Sequence, residues 1–221
     1  MLFRSPQTVS PDTLEQLDQL YLPKTLERLS EYDHQQNAEL DETYFTLQKN
    51  QKITLTEIAI ESAKFISPSN AEDISISHGD LCFSNMLFDS RVEAIKCIDP
   101  RGINASGELS LYGDRRYDLA KLYHSVVGLY DFIIAGRFAL QHDNDNKHKL
   151  KFSHNQGLHQ EVVESFRKSV LKNSGYSEKE ILAITVHLFL SMLPLHSDRP
   201  DRQKAFISNA LRLFEQLKGM K

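Results

Sequence analysis

The sequence predicts one mostly helical α+β domain with a small β-hairpin. Apolar residues recur at helical spacing behind capping signals along most of the chain. One internal stretch switches to short strand-like segments bounded by polar turns. A chain of 221 residues, 40% hydrophobic, is enough for one buried core and too little for two. The single domain 1–221 divides into a helical N-terminal part, 1–73, a loop, hairpin and following helix, 74–125, and a helical remainder, 126–221.

Taken in order, Ser10 and Pro11 read as an N-cap and first helical residue, with Leu14, Leu17 and Leu20 on one face toward Tyr32. Pro23 predicts a kink or two shorter helices there, with Leu26 and Leu29 continuing the apolar face. The polar run at 33–52 reads mostly as loop. Thr54 and Glu57 have capping-box spacing, and Leu55, Ile58, Ala59 and Ala63 form a stripe behind them in a helix that stops before Pro68. From Ile74, ISIS leads into HGD, and MLFD and AIKCID flank DSRVE as the two arms of a hairpin, the one convincing strand pair. Asp118 is expected to cap a helix through LAKLYHSVVGLYDFIIAG. The polar segment 141–151 reads as a loop. Three helices follow: Leu158 to Leu171, one behind a Ser177/Glu180 capping box, and one opened by Pro200 and ending near Gly219.

Composition removes several function classes. A formal net charge of -4 without a basic run argues against nucleic acid as a partner. The longest apolar stretch, 181–195, is too short and too often interrupted for a membrane span and reads as a buried helix. The first residues lack a secretory pattern, so the expected location is cytoplasmic. Cys82 and Cys97 are too few for a disulfide framework and read as packed thiols. His154 and His159, five apart, suggest no zinc site.

The stretch carrying chemistry is SHGDLCFSNMLFD with IKCIDPRG, which spaces two carboxylates and an amide around the predicted hairpin. Phosphoryl transfer needs a carboxylate to orient an acceptor hydroxyl and take its proton, and oxygen ligands for a metal beside the phosphates. Asp80 suits the first role. Asn85, five residues on, and Asp99, at the far end of the hairpin, suit the second, because magnesium takes a few protein oxygens and completes its shell with phosphate and water.

His78, Gly79, Asp80, Asn85 and the Asp99 of IDPRG resemble the HGDxxxxN motif and hairpin-closing aspartate of the aminoglycoside phosphotransferase and choline kinase family. At about one-in-twenty usage per residue, the four motif positions recur by chance in roughly one chain of this length in a thousand. The resemblance covers 74–125 by motif, and the wording HGDLCFSN and IDPRG is similar to members tied to capsule or surface-polysaccharide synthesis. It implies the C-terminal catalytic lobe of a protein-kinase-like fold and an ATP- and magnesium-dependent kinase. The acceptor it implies is a small hydroxyl compound, such as a sugar, an amino alcohol or an aminoglycoside-like molecule. It further implies Asp80 as catalytic base, Asn85 and Asp99 as magnesium and nucleotide ligands, His78 as a loop-shaping residue, and Asp118 as a support of the catalytic loop. The family's N-terminal ATP-covering lobe is absent: no glycine precedes Gly79, so neither a phosphate-covering loop nor glycine turns can be placed there. Full activity is expected to need that lobe, upstream or in trans.

Two other classes compete. A truncated, non-catalytic binding module would explain the absent lobe, and a metal-dependent phosphohydrolase could use similar carboxylates, although no two-metal set can be assembled. Arg101, Arg115 and Arg116 suit phosphate, but surface solvation or local ion pairing is the simpler expectation. Asp198 and Asp201 are expected to cap the last helix.

Overall fold

The computed structural model describes residues 11–36, 44–45, 52–104, 106–142 and 148–220. It is a helical α+β structure with small antiparallel sheets. The described residues open with α1 (Pro11–Asp18) and α2 (Leu22–Gln36), and Pro23 falls in the first turn of α2, where its missing N–H costs no helical bond. The predicted Ser10 cap lies outside the described residues. Tyr21, Thr25, Leu29 and Tyr32, spaced three or four apart, form the buried stripe. The run read as loop in fact continues α2 to Gln36, and a short pair, β1 (Tyr44–Phe45) with β2 (Lys52–Ile53), follows.

At α3 (Leu55–Ala63), the Thr54 hydroxyl accepts from the Glu57 N–H, and the Glu57 carboxylate accepts from the Thr54 N–H at 2.7 Å, completing the expected capping box. Next come β3 (Ile74–Ile76), the hairpin β4 (Met86–Asp89) and β5 (Ala94–Cys97), and β6 (Tyr112–Asp114). β3 pairs antiparallel with β6, Ile74 opposite Asp114 and Ile76 opposite Tyr112. This register sets the HGD loop, which leaves β3, beside the first turn of α4 (Arg115–Val126), which follows β6.

The cap of α4 is Asp114, whose carboxylate accepts from the Arg116 N–H; Asp118 sits one turn inside. That corrects the expected cap and leaves the Asp118 carboxylate available for the loop. The expected long helix also breaks, giving α5 (Tyr130–Ile134). The segment read as loop includes a strand pair, β7 (Phe138–His142) with β8 (His148–Phe152). Alternating Phe138, Leu140, Leu150 and Phe152 carry that pairing; the charged residues between them masked it.

Beyond it are α6 (Gln156–Phe166), a π-helical turn (Arg167–Leu171), α7 (Lys172–Ser174), α8 (Glu178–Ser191) and α9 (Pro200–Gly219). α8 is buried from Glu180 to Ser191 because α2, α3, α4 and α9 all touch it. An apolar helix with no polar face therefore forms the centre of the core. Ser177 caps it by accepting from the Glu180 N–H, but the Glu180 carboxylate turns to Arg116 instead of closing the box. The last helix has no side-chain cap; Asp201 pairs with Arg199 in its first turn.

Candidate active site

β3 delivers the chain into the HGD loop, and α4 holds it there. Asp118 accepts three hydrogen bonds: the Ser77 hydroxyl at 3.0 Å and the His78 N–H at 2.7 Å on Oδ2, and the Gly79 N–H at 2.7 Å on Oδ1. One carboxylate thus fixes two successive amides of the turn. Gly79 has φ +76°, and a Cβ there would lie 2.7 Å from the Cβ of Arg101, so glycine is required for both conformation and space.

His78 ties the loop to the end of the hairpin. Its Nδ1 accepts from the Asp80 N–H at 3.3 Å, which leaves Nε2 to donate to the Ile98 carbonyl at 2.9 Å, and its own carbonyl accepts the Arg101 N–H at 2.8 Å. Further along, the Phe83 N–H donates to the Ser125 hydroxyl and the Ser84 N–H to Asp131, both at 3.1 Å. The loop is held from both sides by α4, α5 and the hairpin end.

Asp80 emerges from this frame. Lys121, buried on α4, places its ammonium 2.8 Å from Asp80 Oδ1. The Asn85 amide nitrogen donates to the Asp80 carbonyl at 2.9 Å and to Asp80 Oδ2 at 3.2 Å. Across the hairpin base the Ile98 N–H donates to the Asn85 carbonyl at 3.0 Å, which brings Asp99 up beside Asn85. Asp99 has φ +56°, which aspartate tolerates better than most residues, and among the described residues its carboxylate takes no hydrogen bond or ion pair.

Asp80 and Asp99 line one cavity of about 360 Å³. Lys24, Arg28, Arg101 and Lys121 line it too, with Tyr130, Leu188, Met192 and Leu195 among its apolar residues. Tyr117 lies beneath the cations: Lys24 Nζ is 3.4 Å from its hydroxyl and 5.4 Å from its ring centre. Burial pushes the Tyr117 phenol up, but Lys121, Lys24 and Arg101 together draw it below its ordinary value. Burial also lowers the Lys24 ammonium, with Arg101 adding to the effect and Tyr117 opposing it. Lys121 is desolvated as well, yet Tyr117 and Asp80 hold it above the ordinary lysine value.

No family model, curated protein or solved structure matches the chain.

The structure therefore brings His78, Asp80, Asn85, Asp99 and Asp118 into one connected loop-and-hairpin assembly. Among the described residues there is no cluster of three or more His, Cys, Asp or Glu side chains fit for a metal. The oxygen set here is smaller: the Asp99 carboxylate and the Asn85 Oδ1, whose amide nitrogen is committed to Asp80. These are the two oxygens that the sequence reading assigns to magnesium, a hard ion that keeps several waters and phosphate oxygens in its shell.

Sequence reasoning missed Lys24, Tyr117 and Lys121. The last two carried a signal: Tyr117, Asp118, Lys121 and Ser125 recur at three and four residues on the face of α4 that meets the loop. Of the two alternatives expected for Arg116 the structure takes ion pairing over solvation: it is buried, pairing with Asp114 at 2.7 Å and Glu180 at 3.1 Å. One expectation here needs correction: Cys97 is exposed, and only Cys82 is a packed thiol. His154 and His159 pack their rings edge to face at 4.8 Å.

Proposed function

We propose that this chain is the catalytic lobe of a kinase-like phosphotransferase that moves the ATP γ-phosphate to a hydroxyl of a small molecule. The carrying observation is that Asp80 and Asp99 open on the same cavity, with Asn85 bonded to one and adjacent to the other. Magnesium, when bound by Asn85 and Asp99, supplies charge neutralisation on the donor phosphates. The Asp80 carboxylate accepts the hydrogen bond of the acceptor hydroxyl and takes its proton as that oxygen bonds to phosphorus and the bond to the leaving diphosphate breaks. Lys121 and Asn85 fix the direction of Asp80, and Asp118 holds the backbone that presents it.

A further observation favours a covering lobe beside the hairpin. Phe88 and Ile95, opposite each other in the register, are open to solvent on one face of the hairpin, with Val92 at its turn and Leu87 on the other face; Phe88 is 67% and Val92 66% exposed. Apolar side chains open on both faces of a two-stranded hairpin suit a surface that receives a covering or partner lobe. The same surface is what a non-catalytic docking module would present.

The deciding experiment is acceptor phosphorylation by wild type and Asp80→Ala, with folding checked by circular dichroism. Loss of transfer by about 10²-fold or more in a folded variant is expected. Unchanged transfer would remove Asp80 from the mechanism. Lack of any magnesium-dependent ATP binding by the wild-type chain would favour the docking module.

A further inference from the structure

The cavity beside Asp80 carries more positive than negative side chains. Of its two carboxylates, Asp80 is already paired with Lys121, and Asp99 is the one suited to a metal. Against them stand four cations. Arg28 pairs with Glu31 at 2.7 Å, but among the described residues neither Lys24 nor Arg101 has a carboxylate partner. Lys24 lies on α2 and Arg101 just past the hairpin, so two separate elements converge on one spot.

Their placement is built rather than incidental. The Arg101 backbone N–H is anchored on the His78 carbonyl at 2.8 Å, and its side-chain stem lies against Gly79. Lys24 rests over the Tyr117 ring, with its ammonium turned to the Tyr117 hydroxyl. Holding these cations together without a counter-charge costs free energy by mutual repulsion and, at Lys24, by desolvation as well. A bound anion relieves it.

Resting on the phosphotransferase reading, the geometry points to an acceptor that carries its own anionic group, a phosphate or a carboxylate, held by Lys24 and Arg101 while its hydroxyl faces Asp80. The cluster is linked to the acceptor side of the site, because Lys24 reaches Asp80 through Tyr117 and Lys121 rather than through Asn85. A guanidinium fork and an ammonium brought together from two separate elements match an oxyanion. An amine-bearing acceptor, whether amino alcohol or aminoglycoside-like, would meet Lys24, Arg101 and Lys121 with no spare carboxylate to receive it.

The test is calorimetric titration of the full chain with inorganic phosphate and, separately, with ATP and magnesium, for wild type, Lys24→Met, Arg101→Gln and Asp99→Asn. Arg101 is exposed, so its substitution leaves the fold intact even if that of Lys24 does not. Phosphate is expected to bind wild type and to weaken about tenfold in either cation variant, the loss of one charge-assisted contact. Magnesium-ATP affinity should then change less than about threefold in those variants and fall sharply in Asp99→Asn. Equal weakening of ATP and phosphate would hand the cations to the donor and overturn the assignment to the acceptor. Phosphate that fails to bind, or binds all variants alike, would overturn the anion site while Asp99-dependent ATP binding keeps the phosphotransferase reading. Phosphate bound through Lys24 and Arg101 with no ATP binding at all would overturn the phosphotransferase reading, and with it the acceptor.

Discussion

At position 79 the backbone adopts φ +76° against the Arg101 stem, and any side chain would push into an atom fixed to the main chain. Gly79→Ala is therefore expected to cost at least about 1–2 kcal/mol from the left-handed conformation alone, more with the clash, and to misplace Asp80. Chemical denaturation measures the first effect. The Asp118 carboxylate, accepting from Ser77, His78 and Gly79, is a charged acceptor for three donors. Asp118→Ala leaves those donors unpaired, and a loss of about 2–4 kcal/mol is expected, with transfer impaired well beyond the loss of folded protein. Arg116 is costlier still. It is 1% exposed among Asp73, Asp114 and Glu180, so Arg116→Met strands several acidic groups and should destabilise the chain by about 3–5 kcal/mol.

Among the elements, α8 sets the stability of the domain and α4 sets the site. Leu190→Ala, deep in α8, should cost about 2–5 kcal/mol because four helices enclose the cavity it would leave. The helices were legible where local chemistry decides them. Thr54 with Glu57, Ser177, Pro200 and the apolar run of α8 each carry a start signal or a burial pattern within a few residues. The hairpin was legible because MLFD and AIKC flank a polar turn, and HGDxxxxN announced the loop. What stayed hidden depends on residues distant in sequence. β3 pairs with β6 across nearly forty residues, so nothing near Ile76 names Tyr112 as its neighbour. The choice of Asp114 over Asp118 as the cap of α4 turns on that same pairing, which ends β6 at Asp114. Lys24 joins the cavity only because α2 docks on α8, where the Thr25 hydroxyl meets His187 Nδ1 at 2.9 Å.

For the whole molecule, buried histidines tie stability to acidity. His124 lies between Tyr130 and Phe189 with neither ring nitrogen bonded among the described residues, and burial holds its pKa well below the ordinary value. Burial likewise lowers His187 to about 4. Both are neutral in the fold, so the unfolded chain takes up the extra protons as pH falls through about 6.5. Their contribution to stability is intact above that pH and is lost below it at about 1.4 kcal/mol per pH unit for each residue, for His187 down to about pH 4. His124→Phe should flatten the slope, as urea midpoints across that range would measure. Among the described residues no helix is long and apolar enough to cross a membrane. The central claim is that Asp99 and Asn85 grip a metal-bound phosphate beside Asp80. Titrating the chain with ATP, with and without magnesium, tests it most directly. Binding that requires magnesium and is lost in a folded Asp99→Asn variant is the predicted result; ATP binding indifferent to both magnesium and Asp99 would contradict it.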